Sequence, residues 1–287
     1  MAEHTSYRIG GPADLYLIAE SGDELAQMVA LATEYGVPIF VMGRGTNILV
    51  ADAGIRGLVI ELRAGRVRYA TNDEIVMWAE AGANLRDIAR ESVARGLAGL
   101  EWAVGIPGSV GGAVVGNAGA FGGYMSDVVR HLTILDANSV REISAAEAEF
   151  NYRTSRFKAG GVMPHGRREI ILAAEMVLRP ESVAALEERV VEYTRRREER
   201  QPVEPSAGSV FKRTAQYPAG FLIEQAGLKG VRWGEAMISP KHANFIVNLG
   251  RARATDVKAL IQLVQERVWR EFGERLELEI ELIGEWE

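Results

Sequence analysis

Two stretches of this chain carry residues suited to holding phosphate by main chain. From Gly99 to Gly123 it reads GLEWAVGIPGSVGGAVVGNAGAFGG, nine glycines in twenty-five residues, with Glu101 as the one charged side chain. Upstream, GRGTNILV from Gly43 to Val50 is a shorter loop of the same kind. Glycine lets a backbone pass close to a ligand and turn its N–H groups toward phosphate oxygens. Two such loops point to a long, phosphate-bearing cofactor. The alternative is a packing segment without a ligand, but hydrophobic packing rarely asks for so many glycines. No GxxxxGK[ST] pattern occurs, and Gly43 and Gly45 are followed by Ile48 where a GxGxxG motif needs its third glycine. The central spacing is instead GxxGxxGG, at Gly105, Gly108, Gly111 and Gly112. A P-loop enzyme and a Rossmann dehydrogenase are both poor fits.

Other candidates are polar. NYRTSRFK offers Arg153 and Arg156, whose planar forks suit a carboxylate. In the last stretch, Leu276, Leu278, Ile280 and Leu282 alternate with Glu277, Glu279 and Glu281, so a strand there puts three carboxylates on one face. The alternation does not choose among them. There is no cysteine, hence no thiolate nucleophile, thiolate metal site or disulfide. The four histidines, His4, His131, His165 and His242, are scattered, so no metal is expected.

These residues must be held by elements that the pattern also predicts. Ser21 and Glu24 have capping-box spacing ahead of a helix that Gly36 and Pro38 end, with Leu25, Met28, Val29 and Ala32 inward. Strands PIFVM and GLVIEL flank the first glycine loop. Strand IVMWAEA and a helix from Asn84 to Gly96 precede the second. Residues 128–143 and 168–178 alternate as half-buried strands do. A charged helix follows from about Glu181 through RRREER, with Val183, Leu186, Val190 and Tyr193 on one face. QPVEPSAGS then reads as a linker. Further on come FLIEQAGL, strand FIVNL, a helix from Thr255 with stripe Val257, Leu260, Ile261, Val264, Val268 and Phe272, and a final strand LELEIELI. The fold class expected is α+β.

At 287 residues the chain fits two or three compact units. A net charge of −6 argues against a nucleic-acid partner. No apolar run reaches the roughly eighteen residues of a membrane span. MAEHTSYRIGG lacks a signal-peptide layout, so the cytoplasm is the expected location.

RIGGPADLYL, GRGTNILVADAGIRGLVIEL, AGLEWAVGIPGSVGGAVVGNAGAFGG, FNYRTSRFK, GSVFKR, LIEQAGLKG and ISPKHANFIVN, in that order from about Thr5 to Gly284, resemble the UDP-N-acetylenolpyruvoylglucosamine reductase family. The resemblance implies a two-part FAD-binding domain of the vanillyl-alcohol-oxidase type with a smaller α+β substrate-binding domain. The boundaries it suggests are 1–62 with the 275–287 strand returning, 63–200, and 201–274. It implies non-covalent FAD, NADPH as co-substrate, a UDP-sugar substrate, and reduction of an enolpyruvyl ether. A monomer is expected. An oxidase with the same fold would be favoured by a histidine-linked flavin, yet neither glycine loop holds a histidine.

Residue by residue, the family's pattern puts Gly43, Arg44, Gly45, Thr46 and Asn47 on one side of the FAD diphosphate. Gly105, Ile106, Pro107, Gly108, Ser109, Gly111 and Gly112 lie on the other, with Asn117, Ala118, Gly119 and Ala120 nearby. It makes Arg153 catalytic, with Tyr152 beside it at the substrate, and Ser209 the proton donor. Lys212 either supports that serine or binds substrate phosphate. The family's ending selects Glu279 among the three glutamates. Where the family continues Phe-Lys-Asn-Pro, this chain has Phe211, Lys212, Arg213 and Thr214. The chain's modest length matches the shorter subclass, without the extra tyrosine-bearing loop.

Overall fold

The caps and stripes form much as their chemistry dictates. In the computed structural model, which describes residues 1–71, 73–136, 139–159 and 169–286, Ser21 caps helix Gly22–Glu34 by accepting from Glu24 N–H at 3.1 Å. Asn84 caps helix Leu85–Ala94 by accepting from Arg86 N–H, and Gly96 follows its end with φ +69°. Helix Ala254–Phe272 buries Val257, Leu260, Ile261, Val264 and Val268, whereas Phe272 is 41% exposed because the stripe runs out at the helix end. His165 and the first residue of the expected 168–178 strand lie outside the described residues.

By internal contacts the chain divides into two units. The first comprises Met1–Asp14, Gly45–Arg56 and Glu198–Glu287; the second comprises Leu15–Arg44 and Gly57–Arg197. In the second, an antiparallel sheet runs in the order Ser139–Ser144, Val129–Asp136, Ile170–Pro180, Ile75–Glu80, Val67–Thr71. The alternation expected at 168–178 holds from Ala174 to Leu178, whereas Ile171 to Ala174 are all buried. There the central strand is covered on both faces, so period-2 exposure disappears. Parallel strands Ile39–Met42 and Ile55–Leu62 belong to a smaller sheet, ordered Ala13–Ala19, Ile55–Leu62, Ile39–Met42. Helix Val183–Arg200 buries only Leu186 of its four expected apolar positions, and Tyr193 instead stacks on Phe121 with ring centroids 4.2 Å apart.

In the first unit, strands Ala236–Ile238 and Ile246–Asn248 pack with helices Ala219–Gln225 and Ala254–Phe272 around one apolar cluster. Two expectations change here. The QPVEPSAGS stretch is not a free linker: Pro205 and Ser206 carbonyls accept from Asn248 N–H and the Ser6 hydroxyl, and Ala207 is buried. The last strand is not continuous either. Leu278 bridges antiparallel to Phe211, and then Glu281–Ile283 pairs parallel with Ile48–Val50. Changing partners midway interrupts the ladder, although Leu276 and Ile280 still point inward.

Candidate active site

Gly43, at the start of the first glycine-rich loop, meets the second loop within the second unit. A Cβ on Gly43 would collide with Ser109 Oγ, the hydroxyl that caps helix Val110–Val115 by accepting from Gly112 N–H at 3.3 Å. A Cβ on Gly111 would stand 2.9 Å from that of Ala81, and Gly111 N–H donates to Ala81 O. Gly108 has φ +141°, a backbone that L side chains rarely adopt, and its carbonyl accepts from Leu85 N–H. Gly105 is filled from outside: its Cβ would land on the Arg197 side chain, 2.6 Å from Nε. Gly112 differs from all of these. It is exposed, helical, and its Cβ would meet only Ser109 Oγ at 3.4 Å. Pro107 is exposed and Ile106 packs at the edge of the apolar core. Arg44 borders a cavity of about 300 Å³ shared with Arg63, Asn84 and Asp87.

Of Asn117, Ala118, Gly119 and Ala120, Asn117 and Gly119 contact the arginine or its turn. Asn117 Nδ2 donates to Asn151 O, and Arg153 Nη2 donates to Gly119 O at 2.7 Å. Gly119 and Ala120 form a short hairpin with Tyr124 and Gly123, and Met125 N–H donates to Ala118 O. Arg153 itself sits at φ +54° in a turn closed by mutual Asn151–Thr154 hydrogen bonds. Ser155 Oγ ties that turn to Val115 O. Arg153 shares this left-handed backbone with Arg8, Asn117, Phe121 and Glu149, and here the turn's own hydrogen bonds hold it. Tyr152, 38% exposed, has its ring 5.4 Å from the Arg153 guanidinium. Arg156, the other arginine of the motif, is engaged by Glu169 and by Glu147 O.

The first unit assembles the remaining candidates. Lys212 N–H donates to Glu277 O and Glu279 N–H donates to Val210 O, so the segment that follows Ser209 runs antiparallel to Glu277–Glu279. Ser209 is half-buried at its start. Asn244 clamps this segment through its side chain, accepting from Phe211 N–H at 3.0 Å and donating to Phe211 O at 2.8 Å. Asn47 holds the other strand, donating from Nδ2 to Glu279 O and accepting Glu281 N–H on its carbonyl. Gly45, one turn earlier with φ +60°, accepts Ser6 N–H. Asn47 therefore positions Glu279 whatever else it touches. Lys212 Nζ lies 3.5 Å from Glu277 Oε2, and Glu277 is the exposed member of the three glutamates. The Arg213–Thr214 departure is accommodated by a turn in which Thr214 Oγ1 accepts from Gln216 and Tyr217 N–H. Asn244 carries no mark in the sequence beyond its place in KHANF.

The candidates thus fall into two sets, Arg153 with the Gly43–Ser109 junction in one unit and Ser209, Lys212 and Glu279 in the other. The donor set suits an anionic cofactor. Neither 43–49 nor 102–123 contains a carboxylate, so neither repels an anion. Among the described residues no group of acidic and imidazole side chains is placed to hold a metal ion. No described helix is long and apolar enough to cross a membrane.

Comparison with known proteins identifies the two regions of the chain. A family model described as the UDP-N-acetylenolpyruvoylglucosamine reductase C-terminal domain matches residues 201–283, and one described as an FAD binding domain matches 13–143. The UDP-N-acetylenolpyruvoylglucosamine reductase of Caldanaerobacter subterraneus subsp. tengcongensis is 42% identical over 99% of this chain and 92% of its own. Reductase 2 of Symbiobacterium thermophilum is 43% identical over 99% of this chain and 90% of its own. The crystal structure of the Thermus caldophilus reductase aligns with a TM-score of 0.81 at 36% identity, covering 98% of this chain and 96% of that one.

Proposed function

The chain belongs to the UDP-N-acetylenolpyruvoylglucosamine reductase family, and on that premise we propose how its own residues carry the family's reaction. It is an FAD-dependent oxidoreductase that reduces the enolpyruvyl group of a UDP-N-acetylglucosamine enolpyruvyl ether in peptidoglycan precursor synthesis. FAD, when bound and reduced by NADPH, would supply the hydride. Gly43–Asn47 and Gly105–Gly112 are the loops that would hold its diphosphate. The protein acts as a cytoplasmic monomer.

Hydride addition to the CH₂ end leaves negative charge on the neighbouring carbon, delocalised into the substrate carboxylate. Arg153 binds that carboxylate, and its fork stabilises the charge as it develops. Its strained turn and the Gly119 carbonyl fix the guanidinium before substrate arrives, so little reorganisation remains. Tyr152 lines the same subsite. Ser209 then delivers the proton to the carbon. A serine hydroxyl is a weak acid, so it needs a charged neighbour, and Lys212 supplies one or takes the substrate phosphate. Glu279 completes the set from the adjoining segment. The observation that carries this reading is the antiparallel pairing of the 210–212 and 277–279 segments, beside which Ser209 and Glu279 lie although they are far apart in the chain.

The test separates the two halves of the reaction. Ser209→Ala retains FAD and is reduced by NADPH at close to the normal rate in anaerobic stopped-flow absorbance. Re-oxidation by the enolpyruvyl substrate falls by roughly 10³-fold. Normal re-oxidation in that variant makes Ser209 a structural residue and sends the proton through another group.

A further inference from the structure

Two arginines flank the Gly105–Ser109 turn without an acidic partner. Arg86 is the second residue of helix Leu85–Ala94, whose first N–H donates to Gly108 O and whose cap, Asn84, bridges to Ser109. Arg197 comes from helix Val183–Arg200 and lies in the space that a Gly105 side chain would take. That helix is fixed by Tyr193 on Phe121 and by the Arg189–Glu181 ion pair at 2.7 Å. Several arginines on or beside these helices find carboxylates: Arg95 pairs with Glu91, Arg189 with Glu181, and Arg195 and Arg196 with Glu192, while among the described residues Arg90 and Arg200, like the two here, do not. Among the described residues Arg86 and Arg197 pair with none. Arg86 Nε is buried without an acceptor. Burial first, and then the Arg86 charge, lower the Arg197 pKa below the ordinary guanidinium value. Two like charges partly removed from water and left uncompensated are costly, and such an arrangement persists where a ligand completes it.

We infer that Arg86 and Arg197 form a cationic clamp that receives the diphosphate of FAD at the Gly105–Ser109 turn. The inference rests on the flavoenzyme reading. The isoalloxazine and adenine rings are neutral, so the diphosphate is the part of FAD that calls for two guanidinium groups, and guanidinium forks match its oxygens. The turn between them presents main chain and no carboxylate.

The full-length apoprotein, freed of flavin, is titrated with FAD by flavin fluorescence over a range of sodium chloride concentrations. Wild type is compared with Arg86→Gln, Arg197→Gln and Arg197→Lys. Each glutamine variant is expected to bind FAD roughly 10- to 100-fold more weakly with a shallower salt dependence, and Arg197→Lys to recover part of the loss. The melting temperature of the glutamine apoproteins stays level or rises, because a repulsion has been removed. Wild-type affinity and salt slope in the glutamine variants overturn the clamp. Equal losses in Arg197→Gln and Arg197→Lys together with a lower apoprotein melting temperature, or an apoprotein that does not fold, assign the pair to packing and overturn it too. A wild-type apoprotein that takes up no FAD refutes the flavoenzyme reading itself, a different failure from the preceding ones.

Discussion

Gly112 is the position where the glycines of the second loop can be made to reveal their purpose. Gly43 and Gly111 are glycine because other parts of the chain, Ser109 Oγ and Ala81, occupy the space of a side chain. At Gly112 the chain leaves room, since a Cβ would make only an ordinary contact with Ser109 Oγ at 3.4 Å, and the backbone is helical. Replacing a helical glycine with alanine contributes about 0.5–1 kcal/mol by restricting the unfolded chain. For a chain of this size that raises the apoprotein melting temperature by about 1–3 °C. If Gly112 is glycine to let the FAD diphosphate approach, the same methyl group weakens FAD binding by at least tenfold, about 1.4 kcal/mol. Ligand-linked stabilisation shrinks by that amount, so at saturating wild-type conditions the holoprotein melts lower, not higher. Calorimetry on both forms, with the flavin-to-protein absorbance ratio, reads the two signs. Apo and holo stability rising together with full flavin occupancy refutes a cofactor-facing role for Gly112. A drop in apoprotein stability refutes the packing reasoning that singled it out.

Two further outcomes follow from named contacts. Arg153→Lys keeps the charge and loses the fork, so turnover is expected to fall roughly 10²-fold, about 2.7 kcal/mol of transition-state stabilisation; steady-state rates near wild type would remove Arg153 from the chemistry. Asp52 accepts from Ala254 N–H at 2.8 Å and Thr255 N–H at 3.0 Å, capping the long helix of the first unit. Burial alone would raise its pKa, but the Thr255 and Ala254 hydrogen bonds outweigh it and the net shift is downward. The folded state therefore favours the carboxylate. Its contribution is present above the ordinary aspartate pKa and is lost as pH falls through the lower folded value. Asp52→Ala is expected to cost about 1 kcal/mol in urea unfolding at pH 7, and the gap from wild type should close toward pH 3. A gap that does not change with pH would mean that the charge is not what caps the helix.

Much of this molecule is written locally. The Ser21 and Asn84 caps, the apolar stripe from Val257 to Val268 and the two glycine loops each depend on residues within a turn or two, where side-chain chemistry acts directly on nearby main chain. Family motifs carried the assignments of Arg153, Ser209 and Glu279, which spacing alone left among alternatives. What the sequence could not supply depends on residues distant along the chain. RRREER reads as a solvated charged face, and only packing against Gly105 separates Arg197 from its paired neighbours Arg195 and Arg196. QPVEPSAGS has the composition of a linker but is tied down by Ser6 and Asn248. The closing run LELEIELI has a strand's alternation, which fixes which side chains turn inward but not which partner the backbone finds. The fold decides that, giving it Phe211 first and Ile48–Val50 afterwards, because strand pairing is a hydrogen-bonding choice made between segments that local sequence does not bring together.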